Sequence, residues 1–127
     1  MEEKDREAIA SLIAATNHRA AFINQVEHAK QQFEARLQFA WNGHYFTLDY
    51  AFMTHVGLKF VDWSLQRPTT RPQIILLDNS CEPVLIENFE EFMDSIVGAE
   101  QEAMSDYYDQ YTRLKQAEST EQLFEVA

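Results

Sequence analysis

The stretch QFAWNGHYFTLD, residues 38–49, decides how the rest of the chain is read. Asn-Gly is the preferred pair for a two-residue type I′ turn, because both central positions need positive φ. With Asn42-Gly43 as the turn, Trp41 stands opposite His44, Ala40 opposite Tyr45 and Phe39 opposite Phe46. Side chains alternate along a strand, so Phe39, Trp41, His44 and Phe46 share one face that needs a core to cover it. Thr47 or Asp49 then caps a helix over about residues 50–65, which carries Phe52 or Met53, Val56, Phe60 and Trp63 on one side.

Upstream, residues 5–37 contain no Gly or Pro and are rich in Ala, Glu, Gln, Lys and Arg, a strong helix composition. Ile9, Ile13, Thr16, Ala20 and Ile23 recur at alternating spacings of four and three, like a short coiled-coil seam. The rhythm then shifts and continues at Val26, Ala29, Phe33 and Leu37. A helix of this length spans roughly 50 Å at 1.5 Å per residue, more than the diameter of a small domain. Its first half is therefore expected to project towards a partner, with Ile9, Ile13 and Ile23 as the interface.

Downstream, QRPTTRP (66–72) is a loop, since both prolines disfavour helix just before them. Residues 74–77 and 83–86 flank a turn around Asp78-Asn79-Ser80 and predict a second hairpin, with Pro83 at a strand start or an edge. Asn88 with Glu91 three residues on caps a long helix, which should bury Met93, Ile96, Ala103, Tyr107, Tyr111 and Leu114, with Glu100 as the polar interruption. Ser119 and Gln122 resemble a capping box for a short last helix burying Leu123 and Phe124. The expected fold is α+β: a long N-terminal helix, two β-hairpins forming a small antiparallel sheet, a long C-terminal helix and a short terminal one. We divide the chain into an N-terminal helix, 1–36, and an α+β domain, 37–127.

Its 127 residues suffice for one core. The whole net charge of −11 falls in residues 78–127, where thirteen acidic residues stand against Arg113 and Lys115. Such a surface repels phosphates and argues against nucleic-acid binding through a basic face. Glu102, Asp106 and Asp109 share one face of the last long helix: a solvated surface, or a docking site for a basic partner in the manner of a DNA mimic. The charged N-terminus lacks the apolar run of a signal peptide, and no apolar stretch is long enough to span a membrane. With Cys81 as the sole cysteine, these features lead us to expect a soluble protein made in a reducing cytoplasm.

Motifs for chemistry are missing. The histidines (His18, His28, His44, His55) form no HxxxH or HExxH pair, so no metal or cofactor is expected, and His44 reads as a packing partner. Cys81 has no base that sequence can identify, and there is no GxSxG or glycine-rich phosphate loop. Tyr107, Tyr108 and Tyr111 with Trp41 and Trp63 could form a stacking surface, but their spacing fits core residues better. We expect no enzymatic activity.

Three segments, AKQQFEARLQFAWNGHYFTLD, IILLDNSCEPVLIENFEEFMDSIV and AESTEQLFEV, resemble a phage and prophage domain of unknown function. That domain recurs at the C-termini of tail-fibre, tail-assembly and minor tail proteins. Its pattern is a helix, an aromatic-flanked NG hairpin with Thr-Asp, a second helix, a second hairpin, an acidic helix start and a short tail. The resemblance covers roughly residues 29–126, and Thr47-Leu48-Asp49 departs from it by one inserted Leu. It implies a tail component or a tail-fibre assembly factor, present in the host cytoplasm during assembly and then in the virion tail. The helix before residue 29 would attach it to other tail proteins or to its own copies. A phage-encoded acidic inhibitor is the alternative.

Overall fold

The computed structural model describes residues 2–126 of the chain. In order, the elements are α1 (Glu3–Arg36), β1 (Gln38–Trp41), β2 (His44–Thr47), α2 (Tyr50–Leu65), β3 (Ile74–Leu77), β4 (Pro83–Ile86), α3 (Phe89–Gln116) and α4 (Thr120–Val126), with a 3-10 turn at Pro68–Thr70. This is the expected α+β order. The chain groups into two compact units: Glu34–Ala103, and a helical unit of residues up to Phe33 together with those from Met104 onward.

In the first of these, Asn42 and Gly43 have φ of 49° and 83°, as a type I′ turn demands. The β1–β2 register pairs Phe39 with Phe46 and Trp41 with His44. Asp49 caps α2, its Oδ1 accepting from the Phe52 N–H at 2.8 Å. Leu48, the residue inserted before that cap, is buried, and its N–H donates to the Leu37 carbonyl at 2.8 Å. This bond ties the exit of the hairpin to the residue that follows α1.

The second hairpin pairs Ile74 with Ile86 and Leu76 with Val84, all four buried. Asp78 exchanges backbone bonds with the loop end: its N–H donates to the Glu82 carbonyl, and its own carbonyl accepts from the Cys81 N–H, both at 3.0 Å. Cys81 takes φ of 59° at the position where such a three-residue loop favours Gly. The hairpins form two separate two-stranded ladders, not the single small sheet expected from sequence. Backbone contact between them is carried by the Asn79 N–H, which donates to the Tyr45 carbonyl at 2.8 Å. A two-stranded ladder is marginal alone, so each depends on what covers its apolar face.

For the first hairpin that cover is the first turn of α3, capped by Asn88 as expected, with its Oδ1 accepting from the Glu91 N–H at 3.1 Å. Phe92 is wholly buried beneath the first hairpin, its centroid 5.2 Å from Trp41, 5.6 Å from Phe46 and 6.2 Å from Phe39, each edge to face. Phe89 meets Phe60 and Trp63 of α2 in the same way, at 5.6 and 5.4 Å. Neither phenylalanine was in the stripe predicted for this helix, yet they are its two largest buried side chains.

In the helical unit, Ala21, Leu114 and Leu123 are buried together, with Phe22, Val26 and Ala117 packed against them. Phe22 lies 6.4 Å from Tyr111, and Phe33 lies 5.3 Å from Tyr107. These two tyrosines are half-buried, less covered than predicted. Ser119 caps α4, accepting from the Gln122 N–H at 3.3 Å, while the Gln122 side chain accepts from the Glu118 N–H. Leu123 is buried, but Phe124 is exposed, against expectation: on a helix of two turns only one of two adjacent residues can face the core.

Candidate functional site

Between residues 3 and 20 of α1 no side chain is buried, and only His18 is half-buried. Residues 3–17, roughly 22 Å of helix at 1.5 Å per residue, thus have every side chain exposed. Ile9, Ile13 and Ile23 are exposed, as is Leu12 at 68%. Helices in proteins owe most of their stability to a packed apolar face, and the stripe here has no packing of its own. The helix carries five acidic and five basic residues and is neutral.

Two other apolar surfaces had not been read from the sequence. The outer side of α2 exposes Leu58, Val61 and Leu65, the last at 82%. Their spacing of three and four residues was visible, but it lay opposite the stripe chosen as core. The outer face of the second hairpin exposes Ile75, Leu77 and Leu85. All six belong to the Glu34–Ala103 unit.

The acidic residues singled out earlier are exposed on α3, Glu102 in one unit and Asp106 and Asp109 in the other. Glu102 is paired with Arg36 at 3.4 Å. Trp41 and Trp63 pack on Phe92 and Phe89, whereas Tyr107 and Tyr111 stack on each other in the helical unit.

A cleft of about 420 Å³ is lined by Trp63, Arg71, Pro72, Ile74, Leu85 and Phe89, among others. The Arg71 guanidinium lies 4.1 Å from the Trp63 ring centre, and its Nε donates to the Trp63 and Gln66 carbonyls. These contacts stabilise the C-terminal end of α2, where a cation is favoured. Arg71 is thereby engaged in holding the fold.

One polar cluster assembles only in three dimensions. His44 is half-buried, its Nδ1–H donating to Asp78 Oδ2 at 2.8 Å, with Glu82 Oε2 3.9 Å away. Asp78 Oδ1 accepts from the Ser80 and Glu82 N–H groups, each at 2.9 Å. The bond from His44, then the two amides, hold the Asp78 carboxyl below its ordinary 3.8. A carboxyl lowered in the folded state stabilises above its unfolded pKa, and this contribution is lost as pH falls through the folded value. Thermal melts of the wild type and Asp78→Asn should therefore differ most at neutral pH. The gap should close as pH falls below 3.8; a gap that widens there would contradict the assignment.

No helix among the described residues is long and apolar enough to cross a membrane. No protein-family model, curated protein or solved structure matches the chain.

Proposed function

We propose that the chain is a non-enzymatic structural or adaptor protein of a bacteriophage tail or baseplate, or a tail-fibre assembly factor, acting through contacts of α1 with further copies of itself or with other tail proteins. The observation that carries the contact role is the uncovered stripe of Ile9, Leu12, Ile13 and Ile23 on a helix whose first eighteen residues bury nothing. Each such side chain gains about 1.5–3 kcal/mol when fully buried, so a partner covering several of them gains enough to offset part of the cost of association. Two copies meet first in this reading, because a neutral helix does not repel itself as the strongly acidic remainder does. The tail assignment rests on the resemblance over residues 29–126, whose order of helices and hairpins the fold follows.

The acidic-inhibitor reading has less support. Glu102 is already paired with Arg36, and Asp106 also takes part in an interaction, so neither is a bare charge awaiting a basic partner.

Light scattering on the eluting full chain should give a mass above that of one copy, and the double variant Ile9→Asp, Ile13→Asp should elute as a monomer with its circular dichroism unchanged. If the wild type is itself monomeric and purified phage particles retain none of it, the contact reading is wrong. Abundance in the particle separates a virion component from an assembly factor.

A further inference from the structure

The cluster at the junction of the two hairpins has the composition and spacing of a cation site. His44 Nδ1, a carboxylate oxygen of Asp78 and one of Glu82 all lie within 4.8 Å of one another. His44 opens β2 directly after the Asn-Gly turn, Asp78 follows β3 and Glu82 precedes β4. The donors are thus set by two tight loops, and the bond from the Asn79 N–H to the Tyr45 carbonyl fixes one loop against the other strand.

Asp78 is preorganised. Its side chain is 6% exposed, and Oδ1 is committed to two backbone amides, which leaves Oδ2 on the His44 side. Glu82 is 67% exposed at its side chain, which leaves it room to move towards the other two donors. Metal–donor bonds of about 2.1 Å place donors about 3.0 Å apart in octahedral and about 3.4 Å apart in tetrahedral coordination. The observed separations from Nδ1, 2.8 Å to Asp78 and 3.9 Å to Glu82, bracket both. With all three donors within 4.8 Å of one another, movement of roughly an ångström or a little more, chiefly at the exposed Glu82 side chain, would close the set.

We propose that His44 Nδ1, Asp78 Oδ2 and Glu82 Oε2 form a three-donor site for a divalent transition cation such as Zn²⁺ or Co²⁺, with the remaining positions taken by water. One imidazole nitrogen with two carboxylates suits these ions; Ca²⁺ takes six to eight oxygen donors, and Mg²⁺ prefers oxygen in octahedral geometry. Binding exchanges the Nδ1 proton, now donated to Asp78, for the metal, and the proton leaves to solvent. An ion held by residues of both hairpins would fasten them together and raise the stability of the fold by mass action. This site stands independently of the contact role of α1.

Tag-free full chain titrated with Zn²⁺ in a calorimeter, and with Co²⁺ followed by visible absorption, tests the site. One saturable ion per chain is expected, with a raised melting temperature. Glu82→Gln should fold and melt as the wild type without metal, yet bind at least about tenfold more weakly. His44→Ala should not bind, whereas His55→Ala and Cys81→Ser should bind as the wild type does. The proposal is overturned if the wild type takes up no ion, if Glu82→Gln binds equally well, or if loss of His55 or Cys81 removes the binding.

Discussion

Replacing Phe92 by alanine should lower the free energy of unfolding by about 3–5 kcal/mol, the range for emptying a buried aromatic position. The ring is wholly buried and three aromatic side chains of the first hairpin, Phe39, Trp41 and Phe46, meet it edge to face. Such pairs contribute about 0.5–1.5 kcal/mol each beyond the area they bury, and all three are lost at once. The neighbours cannot collapse easily into the space: all three sit in a ladder whose register is pinned by the Asn42-Gly43 turn. Against a typical domain stability of about 5–15 kcal/mol, the loss is about a fifth of the total or more. Urea titration of the full chain should show a lower midpoint at an unchanged slope, with Phe92→Leu falling between the two. A loss under about 1 kcal/mol would mean that the hairpin does not depend on this ring.

What could be read from the sequence was what is decided locally. The Asn-Gly turn needs two positive φ values, the Asp49 and Asn88 caps need one short side chain three residues before an amide, and α2 follows from period alone. These leave little to tertiary context. The division of the core was harder. Phe89, Phe92, Met93 and Ile96 form one regular stripe, and carrying the predicted stripe back a turn from Met93 would have found both rings. Their importance still depends on which hairpin and which helix lie opposite, and no spacing within α3 states that. The His44–Asp78–Glu82 cluster had no local signal at all: His44 and Asp78 are thirty-four residues apart and meet because Asn79 docks on Tyr45. Cys81 hid the second loop's form, since a positive φ there would have been obvious only from Gly. On α2, two apolar stripes compete, and a helix apolar on both sides is a signal for two partners, one inside and one outside.

Leu114→Ala acts on the other unit and bears on how α1 is used. Leu114 is 2% exposed and shares its small core with Ala21 and Leu123, so its truncation should cost about 2–5 kcal/mol. With only three buried residues in that cluster, the cavity removes a large share of what holds α4 and the stretch of α1 from Ala21 onward. Hydrogen exchange should then quicken in α4 and in the second half of α3, while the β1–β2 and β3–β4 amides keep their protection. No residue of α1 before Ala21 is buried, so this cluster is the buried packing that lies nearest along α1 to the exposed segment with Ile9 and Ile13. A contact surface that must be held in one direction loses affinity when its anchor loosens, because ordering is then charged to binding. Leu114→Ala should accordingly weaken self-association measured by light scattering, although Leu114 is buried and touches no partner. The Ile9→Asp, Ile13→Asp variant should abolish association with exchange in α4 unchanged. The two results together would separate the surface of α1 from the support beneath it. Unchanged association in Leu114→Ala, with α4 exchanging faster, would show that the exposed stripe works without that support.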